Sequence, residues 1–187
     1  MISVAVVLGS VLSFVNSQAI TPGPCPEFTP MTNFTAESYL GFWYEIHRFP
    51  VPYQINSICN YAEYTDKGNG TIGVHNSGLV NGEEDEIFGE AYATEIPGHL
   101  ILHFDIVPVD GEYNVLHTDY ETYTTVYTCG KFFTQKIETA WILARKPELT
   151  PEEYEEALGQ YHKWGIDTSH FIDTVQDENL CIFPPKK

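Results

Sequence analysis

From residue 41 to residue 145 apolar and polar side chains alternate in short runs, with Gly, Pro, Asn and Asp clustered between them. Alternation at period two marks strands with one buried face, and the clusters mark turns. The pattern predicts strands over GFWYEIHRF (41–49), ICNYAEYT (58–65), TIGVHNSGL (71–79), IFGEAYAT (87–94), HLILHFDIV (99–107), EYNVLHTDY (112–120), TYTTVYTC (122–129) and KIETAWILAR (136–145). NGEEDE (81–86) reads as a break before the fourth of these. Most connections are short enough to join antiparallel neighbours. The period changes in LTPEEYEEALGQYHKWG (149–165), where Tyr154, Leu158, Tyr161 and Trp164 recur at helical spacing. Thr150 and Glu153 form a capping box there, Pro151 suits the first helical position and Gly165 the stop, which predicts a helix over about 151–164. A short strand over 168–173 can follow. Eight sequential strands and one late helix fit an all-β fold, either an eight-stranded antiparallel up-and-down β-barrel with the C-terminal α-helix packed outside, or a two-sheet sandwich. Pattern alone leaves both open.

The ends and the composition narrow the setting. Residues 1–17, MISVAVVLGSVLSFVNS, carry no charged side chain, and the apolar run is too short to span a bilayer. Val15 and Ser17 suit a cleavage site, so this segment reads as a secretory signal peptide. A Pro-rich N-terminal arm (18–38) precedes one domain (39–187), and no later segment predicts a membrane span. Four cysteines in a secreted chain suggest two disulfides, with three pairings of Cys25, Cys59, Cys129 and Cys181 allowed by spacing. Glycosylation sequons stand at Asn33 and Asn69. Nine Lys and Arg against 26 Asp and Glu leave a net charge of −17, which disfavours nucleic acid and anionic lipid as partners. No CxxC and no helical His pair point to a metal site, and no G-x-S-x-G elbow is present.

Three separated motifs go further. Gly41-Phe42-Trp43 opens the first strand, Thr118-Asp119-Tyr120 ends the sixth, and Arg145 ends the eighth within AWILARKPEL. In order and spacing this set resembles the signature of the lipocalins, and with the late helix the likeness covers nearly the whole mature chain. NVLHTDYETYTTVYTC and WILARKPEL resemble most the branch holding apolipoprotein D and the arthropod bilin-binding, insecticyanin and Lazarillo-type proteins. The resemblance implies a barrel whose closed end holds the Trp43 ring beneath the Arg145 guanidinium, a favourable cation–π arrangement. It also implies the pairing Cys25–Cys129 and Cys59–Cys181.

Phasing the strands from these anchors gives a candidate interior. Trp43, Glu45, His47 and Phe49 face inward on the first strand, Ala62 and Tyr64 on the second, and Ile72, Val74 and Asn76 on the third. Ile87, Gly89 and Ala91 follow, then Leu100, Leu102 and Phe104, then Tyr113, Val115 and His117. Thr124, Val126 and Thr128, with Thr139, Trp141 and Leu143, complete the wall. The lining is apolar and aromatic with sparse polar tips, and small residues leave volume, which suits a hydrophobic small molecule. His117 reads equally as a ligand-bonding group or a satisfied wall histidine. FPVPYQINSI (49–58) reads as a lid at the open rim. The expected function is a secreted carrier that requires no cofactor. By the resemblance, its ligand is biliverdin or another tetrapyrrole, a carotenoid, a retinoid or a fatty acid. The alternative is a secreted interaction or protective protein with a vestigial pocket and a cell-surface receptor as partner, and monomer and homo-oligomer both stay open. Catalysis is not expected, because every cysteine has a disulfide partner available.

Overall fold

Strands with one apolar face must bury it, and here the sheet does so by curling onto itself. The computed structural model describes residues 19–183; the expected signal peptide, residues 1–17, lies outside the described residues. A short strand β1 (Ala19–Pro22) and a helical turn α1 (Ala36–Tyr39) precede β2 (Gly41–Arg48). Then come β3 (Ser57–Gly68), β4 (Thr71–Val80), β5 (Glu83–Ala93), β6 (His99–His103), β7 (Gly111–Thr118), β8 (Tyr123–Phe132) and β9 (Gln135–Ala144). Helix α2 (Pro151–His162) and the short β10 (Ile172–Asp173) follow. Each strand from β2 to β9 pairs antiparallel with the next, and β9 returns to pair with β2 through Tyr44↔Ala144, Glu45↔Leu143 and Arg48↔Trp141. The result is a closed eight-stranded up-and-down barrel with one C-terminal helix outside, so the sandwich is excluded. β1 and β10 add to its outer edges at β9 and β2.

Several boundaries move for local reasons. Strand β5 starts at Glu83 because Asn81 (φ 54°) and Gly82 (φ 84°) alone make the turn, the left-handed pair that tight hairpins require. Its acidic residues 83–86 stay in solvent, so charge does not break the strand. Strand β6 ends at His103, and residues 104–110 turn instead of extending to 107. The strand expected over 168–173 shrinks to two residues. Asp167 caps a 3₁₀ turn there by accepting from the Ser169 amide at 2.9 Å.

Helix α2 begins with both halves of its capping box formed, Glu153 N–H to Thr150 Oγ1 at 3.2 Å and Thr150 N–H to Glu153 Oε2 at 2.7 Å. It ends where Gly165 (φ 69°) lets Ile166 N–H reach back to the Tyr161 carbonyl at 3.2 Å. Ala157 and Tyr161 are fully buried against Phe49, Leu116, Tyr127, Ala140 and Ile142 of the barrel's outer face. The Tyr161 hydroxyl donates to the Trp141 carbonyl at 2.7 Å, which pins the helix to β9.

At the closed end the Arg145 guanidinium lies 3.7 Å from the centroid of the fully buried Trp43 ring. Its nitrogens donate to the carbonyls of Tyr120 (2.9 Å), Phe42 (2.9 Å), Leu40 (3.0 Å) and Ser38 (3.2 Å). The Trp43 indole donates to the Tyr39 carbonyl at 2.8 Å. Gly41 (φ 92°) adopts a backbone that L side chains avoid, and the Arg145 guanidinium lies against it. The β7–β8 turn presents Tyr120 to Arg145. Asp119 Oδ1 accepts from the amides of Glu121 (3.1 Å), Thr122 (2.8 Å) and Tyr123 (3.2 Å), and Thr118 Oγ1 accepts from Tyr120 N–H at 2.9 Å. Cys25 is bonded to Cys129 and Cys59 to Cys181, across 104 and 122 residues. Loops of that size restrict the unfolded chain by about 4–5 kcal/mol each on an entropic account.

Arg145→Met keeps bulk but leaves these carbonyls without a donor. Denaturant unfolding is expected to show a loss of about 2–4 kcal/mol. The exposed neighbour Lys146→Met is expected to change stability by less than about 0.5 kcal/mol. Equal losses in the two variants would contradict the clamp.

Candidate ligand-binding lumen

The inward faces meet in one cluster. Ala62, Tyr64, Val74, Ala91, Tyr113, Val115, Val126 and Leu143 are buried together with Trp43, and Leu102, Phe104 and Trp141 pack against them. Asn76 shares this face through its register partners Ala62 and Ile87.

The lower half of the lumen is filled by tyrosines. The Tyr113 hydroxyl lies 2.8 Å from that of Tyr39 and 2.9 Å from that of Tyr64, and Tyr39 also donates to Thr124 Oγ1 at 3.3 Å. The Tyr39 ring sits 5.0 Å from Trp43 and 5.2 Å from Tyr64. Burial pushes the Tyr39 phenol up to about 12, and it holds Tyr64 and Tyr113 well above the ordinary phenol value. The three phenols thus bond one another in a buried layer against Trp43.

Space left by small residues is partly taken. A Cβ on Gly89 would run into the Phe104 ring, and one on Gly78 into the Asn60 side chain, so these glycines seat their large neighbours. Accessible surface on the inward face survives nearer the mouth, where Asn76, Ile87, Leu102, Phe104 and Trp141 are half-buried.

The opposite side of the mouth is polar. Glu45 (4% exposed) accepts from Arg48 Nη1 (3.1 Å), Asn60 Nδ2 (3.0 Å), Thr174 Oγ1 (2.7 Å) and Gln54 Nε2 (2.7 Å). Arg48 Nη2 donates to the Gln54 carbonyl at 2.7 Å, and the Trp141 indole donates to Gln54 Oε1 at 3.3 Å. Gln54 thus ties the 3₁₀ turn Pro52–Gln54, centre of the expected lid, to the barrel wall. Tyr53 on that turn keeps 66% of its surface accessible.

Three expected lumen residues, His47, Phe49 and His117, face outward. The β2–β9 register shifts between Glu45 and His47, and this slip reverses the phase. Arg48 therefore enters the lumen face opposite Trp141, while Phe49 is buried outside under α2. His47 is also outside, its ring stacked 4.2 Å from Tyr154. A second shift, between Val115 and His117 on β7, pairs His117 with the outward Thr125. His117 lines an outer groove with Lys163 and Trp164, away from the lumen. The sequence reading missed Tyr39, assigned to the domain's first residue without a role, and also Arg48, Gln54, Asn60 and Thr174. Only Asn60 carried a signal, since strict alternation from Ala62 puts it inward.

A family profile described as a lipocalin-like domain matches residues 34–176. Apolipoprotein D of Rattus norvegicus is 34% identical over 182 residues, covering 93% of this chain and 93% of its own. The Lazarillo protein of Schistocerca americana is 28% identical over 184 residues, covering 91% of this chain and 83% of its own. Among solved structures, insecticyanin of Manduca sexta superposes with a TM-score of 0.79 at 27% identity, covering 88% of this chain and 92% of its own.

Raised phenol values carry a sign. The unfolded chain ionises its tyrosines near 10, before the folded chain ionises Tyr39 near 12, so stability is present below pH 10 and falls as pH rises through that window. Ultraviolet titration of phenolate is expected to show these phenols silent until the barrel opens. Tyr113→Phe removes the central hydroxyl and is expected to cost about 1–3 kcal/mol at neutral pH by chemical denaturation.

Proposed function

The chain belongs to the lipocalin family, and on that footing we propose that it is a secreted carrier holding one small hydrophobic ligand in the mouth half of its barrel. The observation that carries this is the split lumen: satisfied tyrosines below, and accessible apolar surface on Ile87, Leu102, Phe104 and Trp141 above. Such a lining, with few polar groups, is the chemistry of a pocket for an apolar molecule. The aromatic side chains suit a flat or extended conjugated body, so a tetrapyrrole such as biliverdin, a carotenoid and a retinoid are the leading classes, with a fatty acid beside them. Ile55 and Tyr53 are exposed at the rim, where a ligand would pass.

Binding rather than catalysis is the reading, on two observations. All four cysteines are tied in disulfides, so no thiolate is available as a nucleophile. Glu45 and His47, adjacent in an inward phase, lie on opposite faces of β2 and form no acid–base pair. Secretion is supported by the two disulfides, which persist in oxidising compartments, and by the exposure of both sequon residues, Asn33 and Asn69.

The test is uptake by delipidated protein. Biliverdin, β-carotene, retinol and oleate are titrated while tryptophan emission is followed, and native mass spectrometry reports stoichiometry. At least one is expected to bind one to one and quench emission, and Trp141→Phe is expected to remove most of that quenching. If none binds, the carrier reading fails.

A further inference from the structure

Arg48 is more than nine-tenths buried, on the lumen face opposite Trp141. Both its terminal nitrogens are engaged, Nη1 by Glu45 and Thr174 and Nη2 by the Gln54 carbonyl. Its Nε–H has no partner. Buried donors are almost always paired, so an orphan on a guanidinium in a binding lumen points to an acceptor that arrives with the ligand. The Asn76 amide is on the same inward face, and no hydrogen bond or ion pair engages it among the described residues.

The charge balance decides which acceptor fits. Glu45 lies 3.1 Å from Arg48 Nη1 and cancels its charge within the site, and the whole protein carries −17. An anionic ligand would lose its hydration and meet a carboxylate already in place, with no uncompensated cation to receive it. A neutral oxygen pays no such penalty.

The geometry points to a neutral amphipathic ligand, its apolar body against Leu102, Phe104 and Trp141 and an uncharged carbonyl, ester or hydroxyl oxygen on Arg48 Nε. This inference rests on the carrier reading and narrows it: free carboxylates are disfavoured, and pure hydrocarbons bind without the polar contact. Docking shifts the Pro52–Gln54 turn, because Gln54 holds both Arg48 and Glu45 from the mouth side.

A matched series on the delipidated full-length mature protein separates the outcomes: 2-tridecanone, tridecane and dodecanoate at neutral pH, each measured by calorimetry and tryptophan quenching. The ketone is expected to bind about tenfold or more tighter than the alkane, the return of one hydrogen bond to a charged donor. It is also expected to bind more tightly than the carboxylate. Arg48→Lys preserves the charge facing Glu45 while deleting the Nε–H, and is expected to bring ketone and alkane to equal affinity. Should that variant not fold, the wild-type ranking alone decides. Equal ketone and alkane affinities in the wild type, or carboxylate the tightest, would overturn the inference while leaving the carrier intact. Binding of none of the three would also overturn the inference, while the carrier reading would stand or fall on the four-ligand titration above.

Discussion

The seating of one guanidinium on one indole organises this molecule. Arg145 leaves the end of β9, and its donors take carbonyls from α1, β2 and the β7–β8 turn, segments far apart in the chain. A charged group held off water needs many acceptors, and only a closed barrel end supplies so many converging carbonyls. Trp43 provides the matching apolar face. Once that end is sealed, whatever lies above it must pack dry, and the linked phenols of Tyr39, Tyr64 and Tyr113 meet the requirement by bonding one another. The lumen can therefore be open only toward the mouth.

Two slips in strand register distribute the rest of the chemistry. On β2 the slip at Ile46 turns Phe49 out to the helix and Arg48 in beside Glu45. On β7 the slip at Leu116 turns Leu116 and His117 out toward α2. Each slip gives the outer helix the large side chains that it needs for burial. The first also builds a polar wall at the mouth, completed by Thr174 from the C-terminal segment that the Cys59–Cys181 bond holds in place. The same local irregularity thus serves helix packing and ligand chemistry.

Much of this was legible in the chain. Period-two alternation placed every barrel strand, the capping box and Gly165 bounded the helix, and the Gly41–Trp43, Thr118–Tyr120 and Arg145 set indicated the closed end. The interior was read correctly wherever a strand runs without a slip, as on β4, β8 and β9. It failed beyond the slips on β2 and β7, at His47, Phe49 and His117, because alternation carries no mark of where an extra residue enters a ladder. The polar wall was hidden for a related reason. Glu45 and Arg48 are three apart and alternate to opposite faces on a regular strand, so only the irregularity makes them neighbours. The Asn81-Gly82 turn was within reach, but the acidic run after it looked like a break, although charges on an exposed strand face cost little.

The central claim is that the barrel is dry and filled below and open above. A crystal structure of the delipidated protein under xenon pressure tests it directly, because xenon settles in apolar voids. The expected result is xenon bound among Leu102, Phe104 and Trp141 and none between Trp43 and the tyrosine layer. Xenon beneath the tyrosines, or a barrel that takes up none at all, would contradict the account.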